Sequence, residues 1–154
     1  MEMPEITPAH EELKALIGDW AGVEELAASA WAPAATAKAT ATYRGALDGF
    51  AVVQEYVQTR EDGSTFLGHN VFTVDPATQE TLWYGFDSYG FPPGEPGRGE
   101  WREGTLHLEK RTPRGVARHR LTPDNDVLTH EIDVKMGDAA DFGPFLRARY
   151  TRSH

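Results

Sequence analysis

The stretch Thr7-Pro8-Ala9-His10-Glu11-Glu12-Leu13-Lys14-Ala15-Leu16-Ile17-Gly18-Asp19-Trp20-Ala21-Gly22 decides the fold. Leu13, Leu16 and Ile17 recur at i, i+3, i+4, the spacing of a helix with one apolar face. Thr7 is a good N-cap, Pro8 fits the first turn, and Glu11 and Glu12 lie at the positive end of the helix dipole. These signals predict a helix over Pro8–Ile17, ended by Gly18. Gly18 allows a sharp turn from helix into strand, and Trp20 supplies one large ring to cover an apolar floor.

After Asp19 the chain reads as strands and tight turns. Turn signals recur at Asp48-Gly49, Asp62-Gly63, Asp75-Pro76, Glu103-Gly104, Pro113-Arg114-Gly115 and Pro123-Asp124-Asn125-Asp126. β-Branched and aromatic runs lie between them, among them Phe50–Thr59, Phe66–Val74, Thr81–Ser88 and Val127–Met136. Regular spacing of this kind predicts an all-β antiparallel meander, closed to remove its two edges. The expected architecture is an up-and-down barrel of about ten strands with a short N-terminal plug helix, wide enough to enclose a cavity. The Gly- and Pro-rich stretch Ser88–Gly99 is a long loop placed at the barrel mouth.

Composition narrows the function classes. The chain has 154 residues, enough for one domain, 1–154. Its 15 Lys+Arg against 24 Asp+Glu give a net charge of −9. A field of that sign opposes phosphate backbones and anionic lipid, so neither nucleic acid nor a membrane is an expected partner. The absence of Cys removes disulfides, thiolate nucleophiles and Cys-based metal sites. The acidic start lacks the apolar core of a secretory signal, and no apolar run is long enough to span a bilayer, so the expected location is the cytoplasm. There is no phosphate loop followed by a helix, no Gly-x-Ser-x-Gly elbow and no His-x-x-x-His spacing.

The helix running into Gly18-x-Trp20 resembles the lipocalin and fatty-acid-binding (calycin) group, in which such a helix plugs one end of a barrel. More closely, the chain resembles an uncharacterised bacterial lipocalin-like family known as domain of unknown function 1579. The likeness rests on His10-Glu11-Glu12-Leu13, Gly18-Asp19-Trp20, Tyr43-Arg44-Gly45-Ala46-Leu47-Asp48-Gly49-Phe50, Gln54-Glu55-Tyr56, Gly68-His69-Asn70-Val71-Phe72-Thr73-Val74-Asp75 and Trp83 to Asp87. It implies the barrel and carries no agreed activity. Nitrobindin-like haem barrels share Gly18, Trp20 and Gly22, which would imply haem held by one inward His. Their further Gly at the position of Glu24 and their Tyr-Pro-Thr stretch are missing here.

Hairpin geometry assigns the barrel interior, because every second residue of a strand shares a face. A four-residue loop at Pro123–Asp126, closed by Thr122 and Val127, sets His119 opposite His130, Leu121 opposite Leu128 and Ala117 opposite Ile132. Leu128, Ile132, Val134 and Met136 are the apolar alternates of that strand, so both imidazoles point inward as neighbours. Tyr150, on the last strand with Arg147 and Arg149 as polar alternates, stands near His130 under one register of that strand, which the long Gly137–Pro144 loop leaves open. Asp48-Gly49 pairs Tyr43 with Gln54, Glu61–Ser64 pairs Tyr56 with His69, and Asp75–Glu80 pairs His69 with Phe86 and Val71 with Tyr84. The inner face so defined holds Tyr43, Gln54, Tyr56, His69, Tyr84 and Phe86; the outer holds Arg44, Glu55, Asn70, Trp83 and Asp87. Glu24 and Glu109 read as outward.

The candidate ligand-binding set is therefore Tyr43, Gln54, Tyr56, His69, Tyr84, His119, His130 and Tyr150, aromatic bodies with hydrogen-bonding tips. No nucleophile, metal triad or carboxylate pair can be assembled, which favours a small-molecule-binding protein without cofactor over an enzyme. Two alternatives stay open: an enzyme using the His pair as general acid and base, and a haem protein. Oligomeric state is not legible in the sequence; a homodimer through an outer sheet face is the form to test.

Overall fold

The computed structural model describes residues 2–30 and 32–153. Ten strands form a closed antiparallel barrel: β1 (Gly18–Leu26), β2 (Ala35–Ala46), β3 (Ala51–Arg60), β4 (Thr65–Val74), β5 (Thr81–Asp87), β6 (Gly97–Arg102), β7 (Thr105–Thr112), β8 (Gly115–Asp124), β9 (Val127–Met136) and β10 (Gly143–Arg152). Each strand pairs with its neighbours in sequence, and β1 pairs with β10 to close the ring. Among the described residues no helix is long and apolar enough to cross a membrane.

The plug helix is shorter than the sequence predicts. α1 (Pro8–Leu13) passes into a 3₁₀ turn at Lys14–Leu16, and Ile17 is already extended. The tighter turn brings residues three apart onto one line, and it stacks Leu13 and Leu16, both fully buried, over the barrel floor. At its start the Thr7 amide donates to His10 Nδ1 at 3.0 Å, so His10 takes the place that Glu or Gln usually holds in a capping box.

Trp20 is that floor. Its ring is 1% exposed, its Nε1 donates to the Leu16 carbonyl at 2.9 Å, and the Arg152 guanidinium lies 4.2 Å from its centroid. Arg152 in turn donates to the Ile17 carbonyl at 2.7 Å, which ties β10 to the end of the helix. Gly18 is required at this junction. Its φ is +146°, and a Cβ there would lie 2.2 Å from Arg152 Nη1.

Two registers differ from the sequence expectation, with opposite consequences. At β3–β4 the last pair is Thr59 with Thr65, and Arg60 joins the turn. The Arg60 and Gly63 amides close this turn on Ser64 and Arg60, with Gly63 at φ +85°. One extra residue in a hairpin flips the following strand. Tyr56 therefore faces Gly68, not His69, and β4 and β5 turn over together because their mutual register, His69 opposite Phe86, is as expected. At β8–β9 the turn is two residues, Asn125-Asp126, with Asn125 at φ +55°. Leu121 faces His130 and His119 faces Ile132. That shift is two residues, so both histidines keep the inward face.

Candidate functional site

Between the plug and the open end the barrel encloses a cavity of about 470 Å³. Of the eight residues singled out from the sequence, Tyr43, Gln54, Tyr56, His119, His130 and Tyr150 line it. His69 and Tyr84 do not. The extra turn residue puts His69 on the outer wall, half exposed and paired with Glu55, which faces it across the hairpin. Tyr84 follows it outward, at 39% exposure. Asn70, Trp83 and Asp87, read as outer residues, line the cavity in their place.

Glu24 is the largest correction. Read as outward, it is 1% exposed and forms one pole of the cavity. Gln58 Nε2 donates to its Oε1 at 2.7 Å, the Tyr56 hydroxyl lies 2.7 Å from both carboxyl oxygens, and the Tyr150 hydroxyl donates to Oε2. Arg60 supports the cluster from the mouth, donating to Gln58 Oε1 at 3.1 Å. Burial, reinforced by the Glu24 charge, raises the phenol pKa values of Tyr56 and Tyr150, so both remain donors. The two rings reach Glu24 because its neighbours are small: Gly22 on β1 and Ala37, Ala39 and Ala41 on β2 all face inward beside it. The signal that could have found it is a strict period of two counted from Trp20 (Trp20, Gly22, Glu24, Leu26), which sets Glu24 on the inner face. Glu24→Gln puts an amide N–H₂ where a hydroxyl now donates, and should cost about 1–3 kcal/mol in urea denaturation.

A second set of polar groups runs along the wall. Trp83 Nε1 donates to Asn70 Oδ1 at 2.7 Å, Asn70 to Gln54 Oε1 at 2.6 Å, and Gln54 to the Tyr43 hydroxyl at 3.0 Å. All donors point one way. The phenolic proton of Tyr43 is left without an acceptor among the described residues.

The histidines share the inner face and meet diagonally across β8 and β9, not as the directly opposed pair the sequence reading sets. His119 Nδ1 and His130 Nε2 are 2.9 Å apart, and Trp83 meets His119 in a T-shaped contact with centroids 4.7 Å apart. Burial lowers both imidazole pKa values, His130 to about 4 and His119 well below 6.5 with the neighbouring His130 and Lys110 adding to the effect. Two neutral rings sharing one proton between them leave one donor and one acceptor for the cavity, at His119 Nε2 and His130 Nδ1. Neither of those nitrogens has a protein partner among the described residues. They are also the atoms that could hold a haem iron; among the described residues no three His, Asp or Glu converge as a metal site.

Toward the mouth lie Arg60, Lys110 and Arg114, with Asp87 opposing them. The Lys110 ammonium sits 4.8 Å from the Trp83 ring centroid. The loop at this end is shorter than its composition suggests, residues 88–96, because residues 97–99 open β6; in it Tyr89 accepts from Arg60 at 3.0 Å and packs on Phe66, and Phe91 lies under Arg114.

The fold matches known structures of distant sequence. The crystal structure of Rv2717c from M. tuberculosis aligns with TM-score 0.73 at 13% identity, covering 97% of this chain and all of that one. The S-type phycobiliprotein lyase CPES from Guillardia theta aligns with TM-score 0.73 at 11% identity, covering 99% of this chain and 94% of the lyase. Identities this low establish the shared barrel and nothing finer. A search of curated proteins returns no match. The model of one family, described as protein of unknown function (DUF1579), matches residues 5–90, more than half of the sequence, and the chain belongs to that family.

Proposed function

We propose that this protein is a small-molecule-binding barrel whose cavity takes an apolar or aromatic ligand carrying a polar group. The observation that supports the reading is the cavity itself. Its volume is in the range of small-molecule sites, and its wall combines Tyr43, Tyr56, Phe72, Trp83 and Tyr150 with a few polar tips that have no protein partner. A core built only for stability would satisfy such groups internally. Nile red, a neutral fluorescent probe, should titrate to saturation at one per barrel. Ala117→Trp, which fills space beside Lys110, should weaken that binding at least tenfold. Unsaturable binding, or binding indifferent to Ala117→Trp, would remove the reading.

The 2.9 Å contact between the imidazoles favours one second reading, general acid–base catalysis. A proton taken at one free nitrogen and released at the other reverses both tautomers and leaves no net charge in the cavity. Turnover of a bound ligand, abolished in His130→Phe, is its test. Haem is tested separately. On the cofactor-free reading, haemin added to the purified protein gives no Soret band that depends on His119; a band abolished by His119→Phe would install haem instead.

A further inference from the structure

The polar groups of the cavity are unequally satisfied. Its buried acid, Glu24, is 1% exposed and already accepts from Tyr56, Tyr150 and Gln58. Its donors are different. The Tyr43 proton has no acceptor among the described residues, and the His119–His130 pair presents one N–H to the cavity. The Lys110 ammonium has neither a hydrogen bond nor an ion pair there, although 24 Asp and Glu side chains are available in the chain.

Lys110 is held at this place by its surroundings. It lies on β7 opposite Ala117 on β8, one step diagonally from His119, so the two side chains share the inner face. Trp83 touches both, its ring under the ammonium and in T-shaped contact with the imidazole. Gly97 on β6 makes room for that ring, since a Cβ there would lie 2.7 Å from it. The aromatic face compensates part of the ammonium's lost hydration but accepts no hydrogen bond. Asp87, the carboxylate that acts on Lys110, makes no ion pair with it, and Glu24 is occupied. With Arg60 and Arg114 at the mouth, the entrance to the cavity is locally cationic in a molecule of net charge −9. An ammonium, a phenol and an imidazole N–H facing one apolar space are complementary to an anion with several acceptor atoms.

We propose that the ligand is an organic carboxylate with an apolar or aromatic body, seated with its anionic head on Lys110 beside His119 and Trp83. This rests on the binding reading above and names the chemistry that Lys110 selects. The shape of the apolar body is left to experiment, because the lining accepts either an alkyl chain or a ring.

The test uses Nile red displacement, since a neutral probe does not depend on the charge in question. Two matched pairs compete for the cavity: decanoate against 1-decanol, and 2-naphthoate against 2-methoxynaphthalene. In the wild type at least one acid should displace the probe at about a tenfold lower concentration than its neutral partner. Lys110→Met keeps the apolar stem and should erase that preference, read as the ratio between each acid and its neutral partner on the same variant, so that a change in Nile red affinity cancels. Lys110→Arg, which restores the charge, should recover most of it. Equal competition by acid and neutral partner in the wild type, or a preference that survives Lys110→Met, overturns the proposal while the binding reading stands. Failure of Nile red and all four competitors to bind overturns both.

Discussion

Replacing Trp20 with alanine is expected to destabilise the barrel by about 3–5 kcal/mol, as removal of a large, fully buried ring generally does. The ring stands at the meeting of three elements. It covers Leu13 and Leu16 from the plug, holds the Leu16 carbonyl through its Nε1, and carries the Arg152 guanidinium on its other side. Its loss opens a void under the helix, leaves the Leu16 carbonyl without that donor, and uncovers a cation that β10 delivers inward. Trp20→Phe separates these contributions. It keeps a ring under the plug but no N–H, and should cost clearly less than the alanine change. Urea denaturation of the three proteins checks both numbers; a loss below about 1 kcal/mol for Trp20→Ala would show that the ring is not the floor.

The plug and the meander were legible because their signals are local. Gly18-x-Trp20, the N-cap at Thr7 and the evenly spaced turns each report on a few adjacent residues, and the closed ten-stranded barrel follows from them. Which side chains enter the cavity depends on turn length, which the sequence states less clearly. Asp62-Gly63 marks the β3–β4 hairpin correctly, but Arg60 joins its loop, and that one residue sends His69 and Tyr84 outside and brings Asn70 and Trp83 in. The β8–β9 turn is two residues shorter than Pro123–Asp126 suggests, at no cost to the site, because a strand repeats its faces every two. Glu24 was missed for another reason. A carboxylate among inward positions contradicts the ordinary cost of burial, and only the convergence of Tyr56, Gln58 and Tyr150 from β3 and β10, strands far apart in sequence, makes its position tenable. Lys110 escaped notice similarly, since a lysine alternating with Leu106 and Leu108 looks like an ordinary strand end until Trp83 is found beneath it.

Acidification should act on this barrel through its histidines, between pH 6.5 and about 4. The His130 imidazole is held down to about 4 by burial, and His119 is held well below 6.5 by burial, by His130 and by Lys110. In the unfolded chain both rings take up protons near pH 6.5, whereas the folded barrel resists them until much lower pH. The unfolded state therefore binds more protons throughout that window, and stability falls as pH drops through it. Above pH 6.5 the barrel carries no such penalty. For His130 alone the interval from 6.5 to about 4 corresponds to about 3 kcal/mol lost once the pH is below both values. His119 adds to this in the same direction, and a first proton on the pair opposes the second. His10 and His107, also lowered chiefly by burial, contribute in the same window, while Asp133, held low by its hydrogen bond from Arg147, titrates below it. Urea denaturation at intervals from pH 7 to pH 4 measures the slope, and the double variant His119→Phe, His130→Phe should flatten it to the part that His10 and His107 supply. NMR titration of the wild type gives the direct reading: both imidazoles neutral at pH 7, neither following an ordinary curve. Two independent pKa values near 6.5 would place the rings in solvent and dissolve the site they are said to share.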